Sequence, residues 1–164
     1  MPILTRKAAG QQLRRFLFIE RNVNMAQYTN VFVQQIAANG NAVFTETPVS
    51  GSNCIVHREG AGIVTLRGVT NQFRARYLVQ FNGNIAIPTG GTVGPISIAI
   101  AVEGEALASA TATVTPAAVE NEFNVSAAAY VDVPRGCCVT VSVKNVNTQT
   151  IELQNASLIV TRIC

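Results

Sequence analysis

The chain has 164 residues and a net charge of +3, with 48% hydrophobic residues, only 13% charged residues and no Trp. This length is typical of a single domain with a substantial core, and no apolar run reaches the ~18 residues that span a bilayer. Low charge with many Val, Ile, Ala and Thr favours β-sheet that is packed on both faces or meets other subunits.

The positive charge is confined to the start of the chain. Residues 1–24 carry five Arg or Lys against one Glu, a net +4, whereas residues 25–164 carry seven against eight, a net −1. The sequence therefore predicts two parts, a basic leader at residues 1–25 and a nearly neutral domain at residues 26–164.

Apolar residues in the leader recur at helical spacing. Arg14 and Arg15 interrupt the only stretch that resembles the apolar segment of a secretory signal, so no signal peptide is predicted. Three interpretations stay open. The leader is a terminal extension, or a docking arm in which Arg14, Arg15, Phe16 and Leu17 contact a neighbouring subunit or larger assembly, or Met25 is the natural start.

Strand signals begin at Tyr28. Val31, Phe32 and Val33 are predicted to lie in a first strand, and a turn follows at 39–41. The next short strands are predicted at 42–44, 54–57 and 63–66.

Strict alternation then predicts one long strand with two distinct faces. One side of it is expected to carry Phe73, Ala75, Tyr77, Val79 and Phe81. The other side is expected to carry Arg74, Arg76 and Gln80.

The second half of the chain continues the pattern. Strands are predicted at 95–102, 111–115, 123–133, 138–144 and 151–163, and turns are predicted at 103–105 and 134–136. Strands that recur every 8–15 residues between Gly, Pro and Asn turns indicate a sandwich or jelly roll and argue against βαβ units.

Two segments carry a resemblance to a known family. The ending Ile151–Arg162 and the small-residue hairpin Ser97–Gly104 resemble the bacterial branch of the C1q/tumour-necrosis-factor-like jelly rolls. That branch is known as the heads of exosporium collagen-like proteins, and similar heads occur as phage head-fibre and appendage subunits. The resemblance covers residues 26–164, and no Gly-X-Y collagen pattern occurs in residues 1–25.

The resemblance implies an all-β, ten-stranded TNF/C1q-like jelly-roll sandwich that forms a homotrimer. Few charges on strands with two apolar-leaning faces independently favour oligomerisation, although only the resemblance supplies the number three. Bulky strand residues are the predicted core and oligomer contacts: Tyr77, Phe81, Phe123 and Tyr130.

Residues with catalytic or metal chemistry are few. His57 is the single histidine, and we expect it to be a partly buried or turn-proximal strand residue and not part of a triad. Cys54, Cys137, Cys138 and Cys164 do not form a spaced disulfide framework, so buried reduced thiols are expected. A zinc site would need Cys54 with His57 and Cys137 with Cys138. In extended strands, residues that are three apart or adjacent point to opposite faces, which disfavours such a site.

The remaining polar motifs have ordinary explanations. Arg74 and Arg76 share a strand face and are interpreted as an inter-subunit salt bridge or a solvated surface. Glutamate pairs at 103–105 and 120–122 are interpreted as solvated loop tips and not as a glycosidase pair. The body charge disfavours nucleic acid, and no enzyme activity, cofactor or metal is predicted.

The functional expectation is therefore a structural subunit. It would build or decorate a spore surface, a cell-surface appendage or a virion fibre, with neighbouring trimers or a larger assembly contacted through residues 1–24. The alternative is a glycan- or receptor-binding head that recognises a host or cell surface through the loops at 88–94 and 103–107. A small hydrolase that uses His57 is the third option.

Overall fold

The computed structural model describes residues 24–164, all of whose regular elements are strands. The eleven strands are β1 (Met25–Asn30), β2 (Gln34–Ile36), β3 (Glu46–Val49), β4 (Ile55–His57), β5 (Val64–Arg67), β6 (Arg74–Ala86), β7 (Ile96–Val102), β8 (Glu105–Val114), β9 (Phe123–Pro134), β10 (Cys138–Asn145) and β11 (Ile151–Arg162). No helix capable of spanning a bilayer is found in this part of the chain.

The strands form two antiparallel sheets. The six-stranded sheet has the order β3-β1-β11-β6-β9, with β2 also paired to β11, and the five-stranded sheet has the order β4-β5-β10-β7-β8. Consecutive strands therefore alternate between sheets along much of the chain, as in a jelly roll. The sequence-based prediction of an all-β jelly roll is confirmed, with eleven strands where ten were expected.

Alternation along β6 explains how the core forms. Ala75, Tyr77, Val79 and Phe81 are at most 2% exposed and face the five-stranded sheet. Their predicted position on one shared side of the strand is confirmed, and this side is the inner one. Phe73 is 93% exposed and lies before the strand, so its predicted place in this row is wrong.

The pairing of β11 with β6 contains one irregularity. The register of β11 on β6 shifts between Gln154 and Ser157, and Asn155 adopts a positive φ of 53° there. This geometry is that of a β-bulge, which bends a strand and increases its twist. Gly83 lies beside the bulge, and this position requires glycine because a Cβ there would come within 2.7 Å of the Leu153 side chain.

The bulge also explains an error in the predicted first strand. β1 pairs with β11 as far as Asn30 opposite Ala156, and the pairing resumes only at Gln34 opposite Leu153. Between them the Asn30 side chain accepts a hydrogen bond from the backbone N–H of Phe32 at 3.2 Å, which forms a local turn. Phe32, 70% exposed, therefore lies in a connection.

Candidate oligomer surface

The four predicted contact residues lie in different environments. Tyr77 and Phe81 are 0% and 2% exposed and belong to the core of the protomer itself. A side chain enclosed in this way presents no surface to a second copy, so the oligomer contact is withdrawn for these two residues. Phe123 and Tyr130 on β9 are 41% and 68% exposed, and their oligomer contact stays a prediction.

Tyr77 has a structural role that its polarity explains. Its hydroxyl donates a hydrogen bond of 2.6 Å to the backbone carbonyl of Arg67 on the opposite sheet. Burial raises the pKa of this phenol to about 12. The hydroxyl thus ties β6 to β5 across the core, since a buried phenol needs a partner.

The outward face of the six-stranded sheet carries a group of apolar side chains. We call it the apolar patch and define it as Met25, Leu78, Ala128, Tyr130 and Ile159. Leu78 lies opposite Tyr130 on β9, and Ile159 lies opposite Gln80, the partner of Ala128. Tyr130, Met25 and Ile159 are 68%, 42% and 37% exposed.

Sequence reasoning missed Leu78, Met25 and Ile159. The outward position of Leu78 could have been predicted, because strict alternation along the strand places it on the same side as Arg76 and Gln80. Ile159 was hidden by the apolar run 158–160, in which direction cannot be read from composition alone.

Polar side chains border the patch toward the later part of β6. Asn124 on β9 donates from its side-chain nitrogen to the side-chain oxygens of Asn82 at 3.0 Å and Asn84 at 2.9 Å. Between this group and Ile159 lies a shallow depression of about 380 Å³, lined in part by Ser157. The face therefore combines an apolar centre with a hydrogen-bonded polar border, which is the usual layout of an interface.

Charged side chains border the other side of the patch. Asp132 receives hydrogen bonds of 2.7 and 2.9 Å from Arg76 and lies 3.2 Å from a guanidinium nitrogen of Arg74. The hydrogen bond from Arg76 lowers the pKa of the Asp132 carboxyl, and the same contact raises the pKa of Arg76. The predicted shared face of the two arginines is confirmed, and their partner lies in the same chain.

The loop at 88–94 is held in place by its own chain. The side chain of Gln149 accepts a hydrogen bond from the backbone N–H of Thr92 and donates one to its carbonyl, each at 2.9 Å. Beside it lies a depression of about 410 Å³ lined by polar residues, among them Gln35 and Thr150.

The hairpin at 103–107 is likewise engaged. Glu103 accepts hydrogen bonds from the backbone N–H and hydroxyl of Thr140, and Lys144 donates to the carbonyl of Gly104 at 3.1 Å. The Glu103 carboxylate and the Gly104 carbonyl are therefore engaged within the chain, whereas Glu105 is exposed.

The cysteines differ from the expectation. All four are free thiols, and only Cys54 is buried, whereas Cys137, Cys138 and Cys164 are exposed. Cys138 is the first residue of β10, Cys137 precedes it, and Cys164 follows the end of β11. No group of three or more His, Cys, Asp or Glu within residues 24–164 is arranged to hold a metal ion.

His57 is a partly buried residue at the end of β4, as predicted. A ring nitrogen lies 3.0 Å from the carbonyl oxygen of Ala61, and the ring lies against Tyr28 with centroids 4.4 Å apart. These contacts belong to packing and to a turn. The predicted docking arm, Arg14, Arg15, Phe16 and Leu17, lies outside the described residues.

No protein-family model matches the chain, and no curated protein matches it. Solved structures do. A crystal structure of murine APRIL at pH 5.0 shares 11% identity over 87% of this chain and 100% of that one, with a TM-score of 0.61. The globular domain of a zebrafish complement 1qA protein shares 6% identity over 85% and 95%, with a TM-score of 0.51.

The fold is a TNF/C1q-like jelly roll. Two segments carried the sequence resemblance: Ile151–Arg162 is the central strand β11, and Ser97–Gly104 is most of strand β7 with the turn that follows it. At these levels of identity the likeness concerns the fold alone.

Proposed function

We propose that the chain is a non-enzymatic structural subunit, a homotrimer that builds or decorates a spore-surface, cell-surface or virion fibre assembly. The single observation that carries this proposal is the apolar patch on the outward face of the six-stranded sheet. Exposed aromatic and aliphatic side chains on a regular sheet face, with hydrogen-bonded polar neighbours, fit an interface between copies.

The patch also supports a closed oligomer. Contacts around one rotation axis give a closed cyclic oligomer: in a dimer the patch meets itself, whereas in a trimer the patch of each copy meets a neighbouring part of the sheet face on the next copy. The number three and the surface location are taken from the resemblance to TNF/C1q-like heads.

Size-exclusion chromatography with multi-angle light scattering tests this proposal. We expect a mass three times that of the 17.4 kDa protomer at micromolar concentration. A single protomer mass at that concentration would overturn the proposal.

The leader is proposed to be the connector of this assembly. Deletion of residues 1–24 would then leave the closed oligomer intact while fibres disappear from electron micrographs. If fibres form without these residues, the connector role is wrong.

A glycan- or receptor-binding head is the second candidate. The polar depression beside Pro88–Gly91, with Gln35 and Gln149 in its lining, is the observation that favours it. Saccharides are bound through such side-chain amide and hydroxyl groups. A glycan array with the wild-type protein and Gln35→Ala as the matched variant tests it, because Gln35 is exposed in the same depression, and a flat response leaves only the structural role.

A further inference from the structure

The two ends of the sandwich are built from different segments. β6 begins at one end, where β9 and β11 finish and β10 starts. Backbone hydrogen bonds hold this end together, from Gly68 to the carbonyl of Cys137 at 2.8 Å and from Arg135 to that of Phe73 at 3.2 Å. The opposite end contains the segments 37–41, 86–96, 114–124 and 146–152.

The first end is basic. Its segments at 67–76, 103–105, 132–138 and 162–164 carry three acids, Asp132, Glu103 and Glu105, against five arginines, a net charge of +2: Arg67, Arg74, Arg76, Arg135 and Arg162. The turn at 103–105 belongs to this end because β7 finishes at Val102, opposite Val141, and the backbone N–H of Glu103 donates to the carbonyl of Thr140 near the start of β10. We call these four segments the basic end. Asn24 lies here too, since its carbonyl accepts a hydrogen bond of 2.8 Å from Arg162.

The opposite end is acidic. Its four segments carry Glu120, Glu122 and Glu152 and no Lys or Arg. We call it the acidic end. Glu120 is oriented by a hydrogen bond from the Thr89 hydroxyl, whereas Glu122 is exposed at the start of β9.

Both ends also expose apolar side chains. Phe73 and Val69 are 93% and 57% exposed at the basic end, and Val93 and Phe123 are 49% and 41% exposed at the acidic end. Phe73 borders a depression of about 470 Å³ that Arg135 also lines. Each end therefore combines a net charge of one sign with apolar surface, and the two signs are opposite.

We propose that copies stack head to tail, with the basic end of one seated on the acidic end of the next. The inference rests on the proposed function, because packing through the apolar patch leaves both ends of the sandwich free. A contact between two different surfaces of the same molecule produces an open filament unless its rotation closes a ring, and these two surfaces lie at opposite ends of the sandwich, which favours the filament. Opposite charges favour this pairing and disfavour like ends.

Charge reversal at each end tests the stacking. One double variant is Arg67→Glu with Arg135→Glu, and the other is Glu122→Lys with Glu152→Lys. All four side chains lie outside the core, and no salt bridge involves them within residues 24–164. Arg58→Glu, on an exposed turn beside the edge strand β4, is the matched control.

Light scattering and electron microscopy give the readout. At about 0.01 M salt, where charges act over about 30 Å, wild-type protein and the control should form multiples of the closed-oligomer mass. At about 1 M salt they should return to that mass. Each double variant alone should stay at the closed-oligomer mass at both salt concentrations, since its two ends then carry the same sign.

A mixture of the two double variants supplies the decisive result. Every junction between unlike variants pairs opposite charges, so the equimolar mixture should recover the filaments that each variant has lost. If the arginine variant alone loses the filaments and the glutamate variant keeps them, the basic end contacts acidic residues outside the acidic end. That result would overturn the proposal.

Two further outcomes separate this inference from the proposed function. Wild-type protein that stays a closed oligomer at every salt concentration overturns the stacking and leaves the oligomer standing. Wild-type protein that is a single protomer overturns the proposed function.

Discussion

The outward faces of the two sheets follow the same alternation and yet differ in chemistry. The five-stranded sheet presents small hydroxyl side chains, and these bond within the chain: Ser97 meets Thr113 at 2.7 Å, and Thr111 donates to the Leu107 carbonyl at 2.8 Å. The six-stranded sheet leaves Tyr130 and Ile159 exposed. A face whose groups are satisfied locally suits water, whereas exposed apolar groups on a flat face suit a partner.

The largest effect on association is expected when the exposed apolar face of the six-stranded sheet is made polar. Ile159→Asp combined with Leu78→Asp places two charges in the centre of the apolar patch. Burying them at an interface should weaken association by more than about 2 kcal/mol, or about thirty-fold. Light scattering across a protomer dilution series measures the change.

Thr113→Asp on the other sheet is the control for that experiment and should leave the mass unchanged. Equal masses for both variants, or dissociation by Thr113→Asp alone, would show that the interface does not lie on the six-stranded sheet.

The next effect separates the two sides of β6. Phe81→Ala removes a core ring and should lower the free energy of unfolding by about 3–5 kcal/mol. The neighbouring Gln80→Ala, on the outward side, should change it by no more than about 0.5 kcal/mol. Urea unfolding at one fixed protomer concentration measures both, because association would otherwise add to the apparent stability. A small effect of Phe81→Ala on the free energy of unfolding would contradict the position of this ring in the core.

Alternation along β6 was sufficient to predict which of its side chains share a side, because side chains in a strand alternate between its two faces. It failed at Val31–Val33, where the composition is that of a strand. There the outcome depends on the bulge at Asn155 in the partner strand, more than 120 residues later. Local sequence does not contain that information.

The candidate surface was predicted only in part for a related reason. Tyr77 and Tyr130 both lie in strongly alternating strands, but which side of each strand faces the second sheet depends on the register between β6 and β9. Bulk alone did not distinguish a core tyrosine from a surface tyrosine. Pairing Leu78 with Tyr130 required the sheet order.

A smaller effect is expected for the hydroxyl that joins the two sheets. Tyr77→Phe deletes its hydrogen bond to the Arg67 carbonyl and should cost about 1 kcal/mol of unfolding free energy. Because burial raises the pKa of Tyr77 to about 12, its contribution is complete below the unfolded pKa near 10 and is lost as pH rises toward 12.

Melting temperatures at rising alkaline pH test this assignment. The wild-type protein should lose stability more steeply than Tyr77→Phe as pH rises. Part of the loss should persist in the variant, because burial also raises the pKa of Tyr28. Parallel curves for the two proteins would show that the Tyr77 phenol does not carry this pH dependence.

The smallest effect belongs to the charged border of the six-stranded sheet. Asp132→Asn removes the carboxylate that Arg74 and Arg76 share, on an exposed surface where ion pairs contribute little. Because Arg76 lowers the pKa of Asp132, the stabilisation is present above the unfolded pKa and is lost as pH falls through the folded one. Melting temperatures of variant and wild type should therefore differ slightly at neutral pH and converge in acid. A difference that persists unchanged in acid would assign the effect to packing, and Glu105→Gln, which breaks no ion pair within residues 24–164, should show neither behaviour.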